Sequence, residues 1–390
     1  GGRGALMAQP VPLPFADSPR SSVGLEWELA LVDADSGELR QAATAVLDAV
    51  HADGDDDPLR PQVTGELLLN TIEVSSGRCA SVGEAGTALL DCLDRVRAVA
   101  TPLRIELMGG GTHPSANWAT QRVTDKQRYA TLIDRTQWWG RQMLIYGVHV
   151  HVGIESRDKV LPLSRAMLTV FGVIQSLAAS SPFWGGRDTG YASNRALLFQ
   201  QLPTAGLPPQ LVTWGELEQY VGDMLHVGVI DEFNELRWDV RPSPRFGTLE
   251  VRIADSATNI AEVVAISALT HCLVEHFTSL ADAGEPLPTL QPWFVTENKW
   301  RSARYGMDAI LVTDSSGAEE LVSESVERWL ETLAPVAARL GCAGELEQVR
   351  LILRRGASYQ RQRAVARRHA GDLDAVVRSL LDELRAGRPL

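Results

Sequence analysis

The chain has 390 residues, 45% of them hydrophobic, with four scattered cysteines and a formal net charge of −12. It is long enough to bury a large core, as one large domain or two. The acidic balance excludes a general binder of nucleic acid or of anionic membrane surfaces, though a local arginine cluster is still able to hold a small anion.

Gly1 to Leu6 reads as an expression scar, and residues 1–21 together as a flexible lead-in without the apolar core of a signal peptide. No apolar run is read as long enough to cross a bilayer. Cys79, Cys92, Cys272 and Cys342 form no CxxC pair, which is the pattern of a reduced, cytoplasmic protein. Residues 23–33 alternate as a strand, with Glu26 and Glu28 on one face and Leu25, Trp27 and Leu29 on the other. A short helix is predicted over 43–51, then a solvated acidic loop at 53–57. Residues 62–75 read as a long strand or a hairpin carrying Glu66 and Glu73, whose odd spacing needs a bulge or bend before both reach one site. Helical spacing over 82–99 supplies a cover for the sheet. Residues 104–109 form a short strand that runs into Gly109-Gly110-Gly111-Thr112-His113-Pro114, and 123–135 read as helix.

The central strand is 146–154. Val148, Val150 and Val152 face a packed layer, and His149 and His151 share the opposite face. A helix over 160–180 leads to a long aromatic loop, 181–195, containing Asn194 and Arg195; a loop of that length in a compact domain is usually functional or disordered. A helix follows over 213–225. Two further strands are predicted at 234–240 and 247–255, with 241–245 as the turn between them and Glu250 and Arg252 on one face of the second. Beyond 255 the chain reads as mostly helical: 259–280, 296–305, 318–340, 343–355, 358–370 and 372–386.

Three strands thus offer polar pairs at i and i+2: Glu26/Glu28, His149/His151 and Glu250/Arg252. One such pair is commonly a wet sheet face; three on separate strands suggest a shared polar floor. Two like charges ~4 Å apart repel by about 4 kcal/mol at an effective dielectric near 20. Carboxylates gathered there require cations or raised pKa values. Mg2+ or Mn2+ suits hard oxygen ligands, and Mg2+ commonly bridges to phosphate oxygens. No P-loop and no dinucleotide fingerprint occurs.

With these segments in view, the chain resembles the glutamate–cysteine ligase type 2 family of carboxylate-amine ligases. The resemblance rests on residues 24–29, on Gly65-Glu66-Leu67-Leu68 with Ile72-Glu73, and on Gly111-Thr112-His113-Pro114. It continues through residues 147–153 and 246–252, and through Glu297-Asn298-Lys299-Trp300-Arg301 with Arg304-Tyr305-Gly306. It implies an α+β glutamine synthetase-like fold, a curved antiparallel sheet of about six strands with helices packed on the outer face. Residues 22–386 then form a single catalytic domain. The resemblance further implies a reaction using ATP and Mg2+, in which a small carboxylic acid passes through an acyl phosphate to an amide with an amine substrate. By the family pattern Glu26, Glu66 and Glu250 hold one metal, Glu28, Glu73 and His149 another, and Arg252 faces the transferred phosphoryl group. The pattern departs at His151, where better-known members carry asparagine; there the histidine contacts substrate or shapes the site.

Arg241, Arg245 and Arg363 are candidates for nucleotide phosphate, with structural ion pairing as the alternative. Arg361 is a further candidate to cap the nucleotide. Asn194 and Arg195 are candidates to close over the acceptor, and His113 to contact substrate or fix its turn. A homodimer is the default expectation. Two rival readings are a metal-dependent amidohydrolase using His149 and His151 and a non-catalytic metabolite-binding relative. The first needs further strand-end histidines, and the second sits poorly with intact Glu26, Glu28, Glu73, Glu250 and Arg252.

Overall fold

A computed structural model of the chain describes residues 7–51 and 57–390. Most of the acidic loop expected at 53–57, and the expected scar, lie outside the described residues. The main sheet contains β1 (Val23–Asp33), β2 (Gln62–Gly65), β3 (Thr71–Ser75), β4 (Ile105–Met108) and β5 (Gly147–Gly153). After a small separate hairpin, β6 (Phe183–Trp184) with β7 (Arg187–Asp188), it is completed by β8 (Val240–Ser243) and β9 (Thr248–Asp255). The order is β2-β3-β1-β5-β9-β8, every pair antiparallel. β4 pairs with the far end of β1. Ala30 faces Thr71 on one edge and Met108 on the other, so β4 lies on the same edge of β1 as β5.

Alternation decides the layers. Leu25, Trp27 and Leu29 are fully buried beneath the sheet, as are Val148, Val150 and Val152. Helices Val82–Ala100, Phe171–Ala178 and Ile260–Asp282 cover that face. Burial of each such side chain contributes roughly 1.5–3 kcal/mol, so the apolar face fixes the register and leaves Glu26, Glu28, His149 and His151 on the other face. Helix Ile260–Asp282 is 23 residues long with a mean hydropathy of 1.4, enough by length and composition for a membrane span, contrary to the sequence reading. In this fold it is mostly buried against the sheet and neighbouring helices, which accounts for its apolar character.

Several sequence expectations change. The stretch 241–245 is only partly a turn: Arg241, Pro242 and Ser243 pair with Glu250, Leu249 and Thr248, and the turn itself spans residues 244–247. Pro242 is tolerated because β8 is an edge strand. Residues 234–240 alternate because Leu236, Trp238 and Val240 are buried, yet only Val240 joins the sheet; Arg237 and Asp239 donate their N–H groups to the carbonyls of Thr204 and Gly206. The helix expected at 160–180 is two, Arg157–Met167 and Phe171–Ala178, bent by 64°. A helix at Asn194–Phe199 and a hairpin, β10 (Ile310–Val312) with β11 (Glu319–Leu321), were not anticipated. Residues 7–21 are not a loose lead-in. Leu13 is buried, its N–H donates to Glu218, and its carbonyl accepts from the Trp214 indole.

Candidate active site

The registers bring the polar pairs together. Glu28 stands opposite Glu73, Glu26 opposite His149, His151 opposite Glu250, and Glu250 opposite Arg241. Acidic residues from four segments therefore face one cavity of about 1010 Å³ on the polar face of the sheet. Glu66 also lines it, from the connection between β2 and β3 rather than from a strand. This hairpin resolves the odd spacing of Glu66 and Glu73.

Two sets have ligand atoms within 4.8 Å of one another: Glu26 with His149 and Glu250, and Glu28 with Glu73 and His149. The second is the set implied by the resemblance. The first differs, because His149 takes the place expected for Glu66. The donor chemistry fits a hard divalent cation: carboxylate oxygens predominate, with one imidazole between the sets. His149 Nδ1 lies 2.9 Å from Glu26 Oε2. His151 Nδ1 lies 2.7 Å from Thr248 Oγ1, and its Nε2 lies 3.4 Å from Glu26 Oε1.

The electrostatics separate the carboxylates. Burial pushes Glu28 up to about 8, with the charge of Glu66 adding to it. Burial also raises Glu73 well above the usual carboxylate range, reinforced by Glu26, Glu66 and Glu28. Glu66 is raised by burial and by Glu26. Burial opposes ionisation of Glu26 too, but the charge of His151 and hydrogen bonds to His149 and His151 hold it well below its ordinary value. The side chain of Glu26 is 24% accessible and lines the cavity. Glu250 is held low, against burial, by Arg241 and Arg252, at 2.7 and 2.5 Å. Burial and the nearby Arg252 charge lower His149 to about 4, leaving its imidazole neutral near pH 7.

A β-bulge lies beside this centre. Val148 and Val150 are two residues apart, whereas their partners Ala254 and Val251 are three apart. The extra residue places Asp255 opposite Gly147, on the side that alternation from Arg252 would deny it. Asp255 accepts from the Ser180 N–H and the hydroxyls of Ser181 and Ser193, at 2.9, 2.6 and 2.8 Å. Arg195, on the helix Asn194–Phe199, lies 3.8 Å from Asp255 and spans the floor above Gly147.

Of the other candidates, Arg241, Arg245 and Arg195 line the cavity, whereas Asn194, His113 and Arg363 do not. His113 is committed to its turn. Its Nε2 contacts the Gly37 carbonyl at 2.8 Å, and Nδ1 accepts from the N–H groups of Ser115 and Ala116. Arg363 instead ties down the 181–195 segment through Asp188 and the Tyr191 carbonyl. Arg361 is buried between Glu262 and Glu383, so it caps no nucleotide. Lys299 is likewise buried, 2.6 Å from Asp239. Sequence reasoning missed Lys126, Arg128 and Arg135, which line the cavity from helix Gln127–Thr136 and its start, and Arg237. A signal was present: Arg128 and Arg135, seven residues apart, share one face of that helix, which buries only Tyr129.

The solved structures with this fold include glutamate–cysteine ligase from Francisella tularensis, determined in complex with AMP. It matches with a TM-score of 0.68 at 13% identity, covering 95% of this chain and 90% of that one. A bifunctional glutathione synthetase from Pasteurella multocida matches with a TM-score of 0.63 at 15% identity, covering 94% of this chain and 52% of that one. The fold is thus of the glutamine synthetase-like kind. Curated relatives are much nearer in sequence. "Putative glutamate--cysteine ligase 2-1" of Arthrobacter sp. (strain FB24) is 54% identical over 376 residues, 96% of this chain and 98% of the relative. "Putative glutamate--cysteine ligase 2" of Clavibacter sepedonicus is 54% identical over 374 residues, 96% and 97% of the two chains. The model of glutamate-cysteine ligase family 2 (GCS2) matches residues 22–379; the chain belongs to that family and is an ATP-dependent ligase forming C–N bonds.

Proposed function

We propose that this protein joins a small carboxylic acid to an amine through an acyl phosphate, with glutamate and cysteine as the first pair to test. The observation that carries this reading is the convergence of Glu26, Glu28, Glu73 and Glu250 around His149, with Arg252 against Glu250. In this reading the acid's carboxylate oxygen attacks the γ-phosphorus of ATP, the bond to the β,γ-bridging oxygen breaks, and ADP leaves. The amine nitrogen then attacks the acyl carbon, the carbon–oxygen bond to phosphate breaks, and the nitrogen gives up a proton as the amide forms.

Glu28, Glu73 and His149 would hold one divalent ion, and Glu26 with Glu250 another, with Glu66 placed to join either; a neutral imidazole has one free lone pair, so His149 serves one ion at a time. Bound Mg2+, or Mn2+, supplies charge neutralisation for the phosphate oxygens. Arg252 is fixed by Glu250 and presents the rest of its guanidinium to the transferred group, where a preorganised donor stabilises developing charge. Arg241 and Arg245 supply cationic surface for the nucleotide, and Arg195 for a substrate anion. His151 orients Glu26 rather than meeting substrate directly. Residues 22–386 act as one catalytic domain in this reading, in a cytoplasmic setting, with a homodimer as the expected assembly.

An amidohydrolase is not favoured: among the described residues, His149 and His151 are the only histidines lining the cavity. The test is ADP release. It should require the acid, the amine and Mg2+ together; amide cleavage without ATP would instead support a hydrolase.

A further inference from the structure

The cavity has two chemically different ends. Near Gly153 the walls are mostly polar or cationic, with Gln62, Ser75, Ser243 and Arg245 beside two apolar residues, Pro58 and Phe246. Near Gly147 they offer Leu67, Met143, Ile145, Phe199 and Leu202. These five belong to one packed apolar cluster. Leu67, Ile145 and Phe199 are only half-buried, so hydrocarbon surface is left facing the cavity.

The apolar wall begins beside an anion-binding feature. The guanidinium carbons of Arg195 and Arg252 each lie 5.9 Å from the centroid of the Phe199 ring. The Nε atoms of both arginines are buried and have no hydrogen-bond partner among the described residues. Arg195 is itself almost fully buried. Arg195 has only long contacts, 3.8 Å to Asp255 and 3.5 and 3.3 Å to the carbonyls of Ile253 and Arg252, so its guanidinium retains capacity for an anion, which offsets the cost of burying it. A phosphoryl group at Arg252 and a carboxylate at Arg195 meet that need, and whatever carries the carboxylate then lies along the apolar wall. Cysteine or glycine would leave most of that wall wet.

We infer that one of the two molecules joined here is amphipathic, with a carboxylate held by Arg195 and an apolar side chain of leucine or phenylalanine size laid against Leu67, Ile145 and Phe199. This inference rests on the ligase reading and narrows its substrate class. The acid or the amine is able to carry such a body, and two series of assays separate them. With glutamate as the acid, ADP release is measured with glycine, cysteine, leucine and phenylalanine as amines. With cysteine as the amine, it is measured with succinate, glutamate and benzylsuccinate as acids.

In one series kcat/KM should rise at least tenfold from the smallest member to an apolar one. Ile145→Asn should cancel that rise and leave the KM for ATP within twofold. ADP release that is flat or falling along both series overturns the inference and leaves the ligase reading standing. Ile145→Asn raising the KM for ATP instead assigns the wall to the adenine and also overturns it. Absence of ADP release in every combination overturns the inference and the ligase reading together.

Discussion

Glu250 Oε2 accepts from Arg241 Nε at 2.7 Å while its Oε1 accepts from Arg252 Nη1 at 2.5 Å. One fully buried carboxylate therefore orients two guanidiniums and still offers an oxygen to the cluster with Glu26 and His149. Glu250→Gln keeps the shape and removes the charge. Metal-dependent ADP release should fall at least about a hundredfold, the scale of losing a preorganised electrostatic contact in the transition state. The far-ultraviolet circular dichroism should be unchanged. Unaltered turnover in this variant would refute the site assignment.

Metal binding should release protons. Burial holds Glu28 near 8, so the metal-free protein keeps a proton there at pH 7, and burial shifts Glu73 in the same direction. The sign follows from linkage: between about pH 4.5 and 8 the folded state binds more protons than the unfolded one, so these groups lower stability as pH rises. A divalent ion that takes the ionised carboxylates reverses this. Mn2+ should bind more tightly at pH 8 than at pH 6, raise the melting temperature more at pH 8, and release protons measurable with an indicator dye near pH 7. Binding independent of pH over that range would contradict the assignment of Glu28 and Glu73.

Gly147 is required by its neighbour and not by its backbone angle. A Cβ there would come within 2.3 Å of Arg195 Nη2, a guanidinium that lies over the floor beside Asp255. Gly147→Ala should displace Arg195 and lower kcat/KM at least about tenfold, while stability changes by no more than the ~1 kcal/mol typical of point substitutions. Chemical denaturation run beside steady-state kinetics separates the two effects.

Much of this site was legible in the sequence because strand alternation is local. The i, i+2 pairs at Glu26/Glu28, His149/His151 and Glu250/Arg252 needed only period two to be placed on one face. What was not legible depends on pairing between distant segments. No local pattern marks the bulge that carries Asp255 to the floor beside Arg195. The stretch 241–245 carries two prolines and reads as a turn, yet its first three residues form an edge strand because Thr248 to Glu250 fold back on them, and only Pro244 and Arg245 belong to the turn. His113 and Arg363 have the residue types of ligand-binding groups, but their hydrogen bonds are consumed by Gly37 and Asp188. The helix Asn194–Phe199 begins in the last two residues of what read as an aromatic loop and continues beyond it.

Arg361 gives a prediction about stability alone. It lies 2.5 Å from Glu262 and 2.8 Å from Glu383, joining the C-terminal helix Leu373–Ala386 to helix Ile260–Asp282. Arg361→Ala leaves two buried carboxylates without their cation and should cost about 3–5 kcal/mol in urea unfolding. A loss below about 1 kcal/mol, the range of exposed ion pairs, would mean that the cluster is wetter than its geometry indicates.

The acyl phosphate is the centre of the account, and oxygen tracing tests it most directly. The acid substrate is labelled with 18O in its carboxylate, turned over with ATP, Mg2+ and the amine, and the released phosphate is analysed by mass spectrometry. Transfer of one labelled oxygen to each phosphate is the predicted result, because the oxygen that attacks the γ-phosphorus leaves with it. Phosphate free of label, with amide formed, would contradict the account.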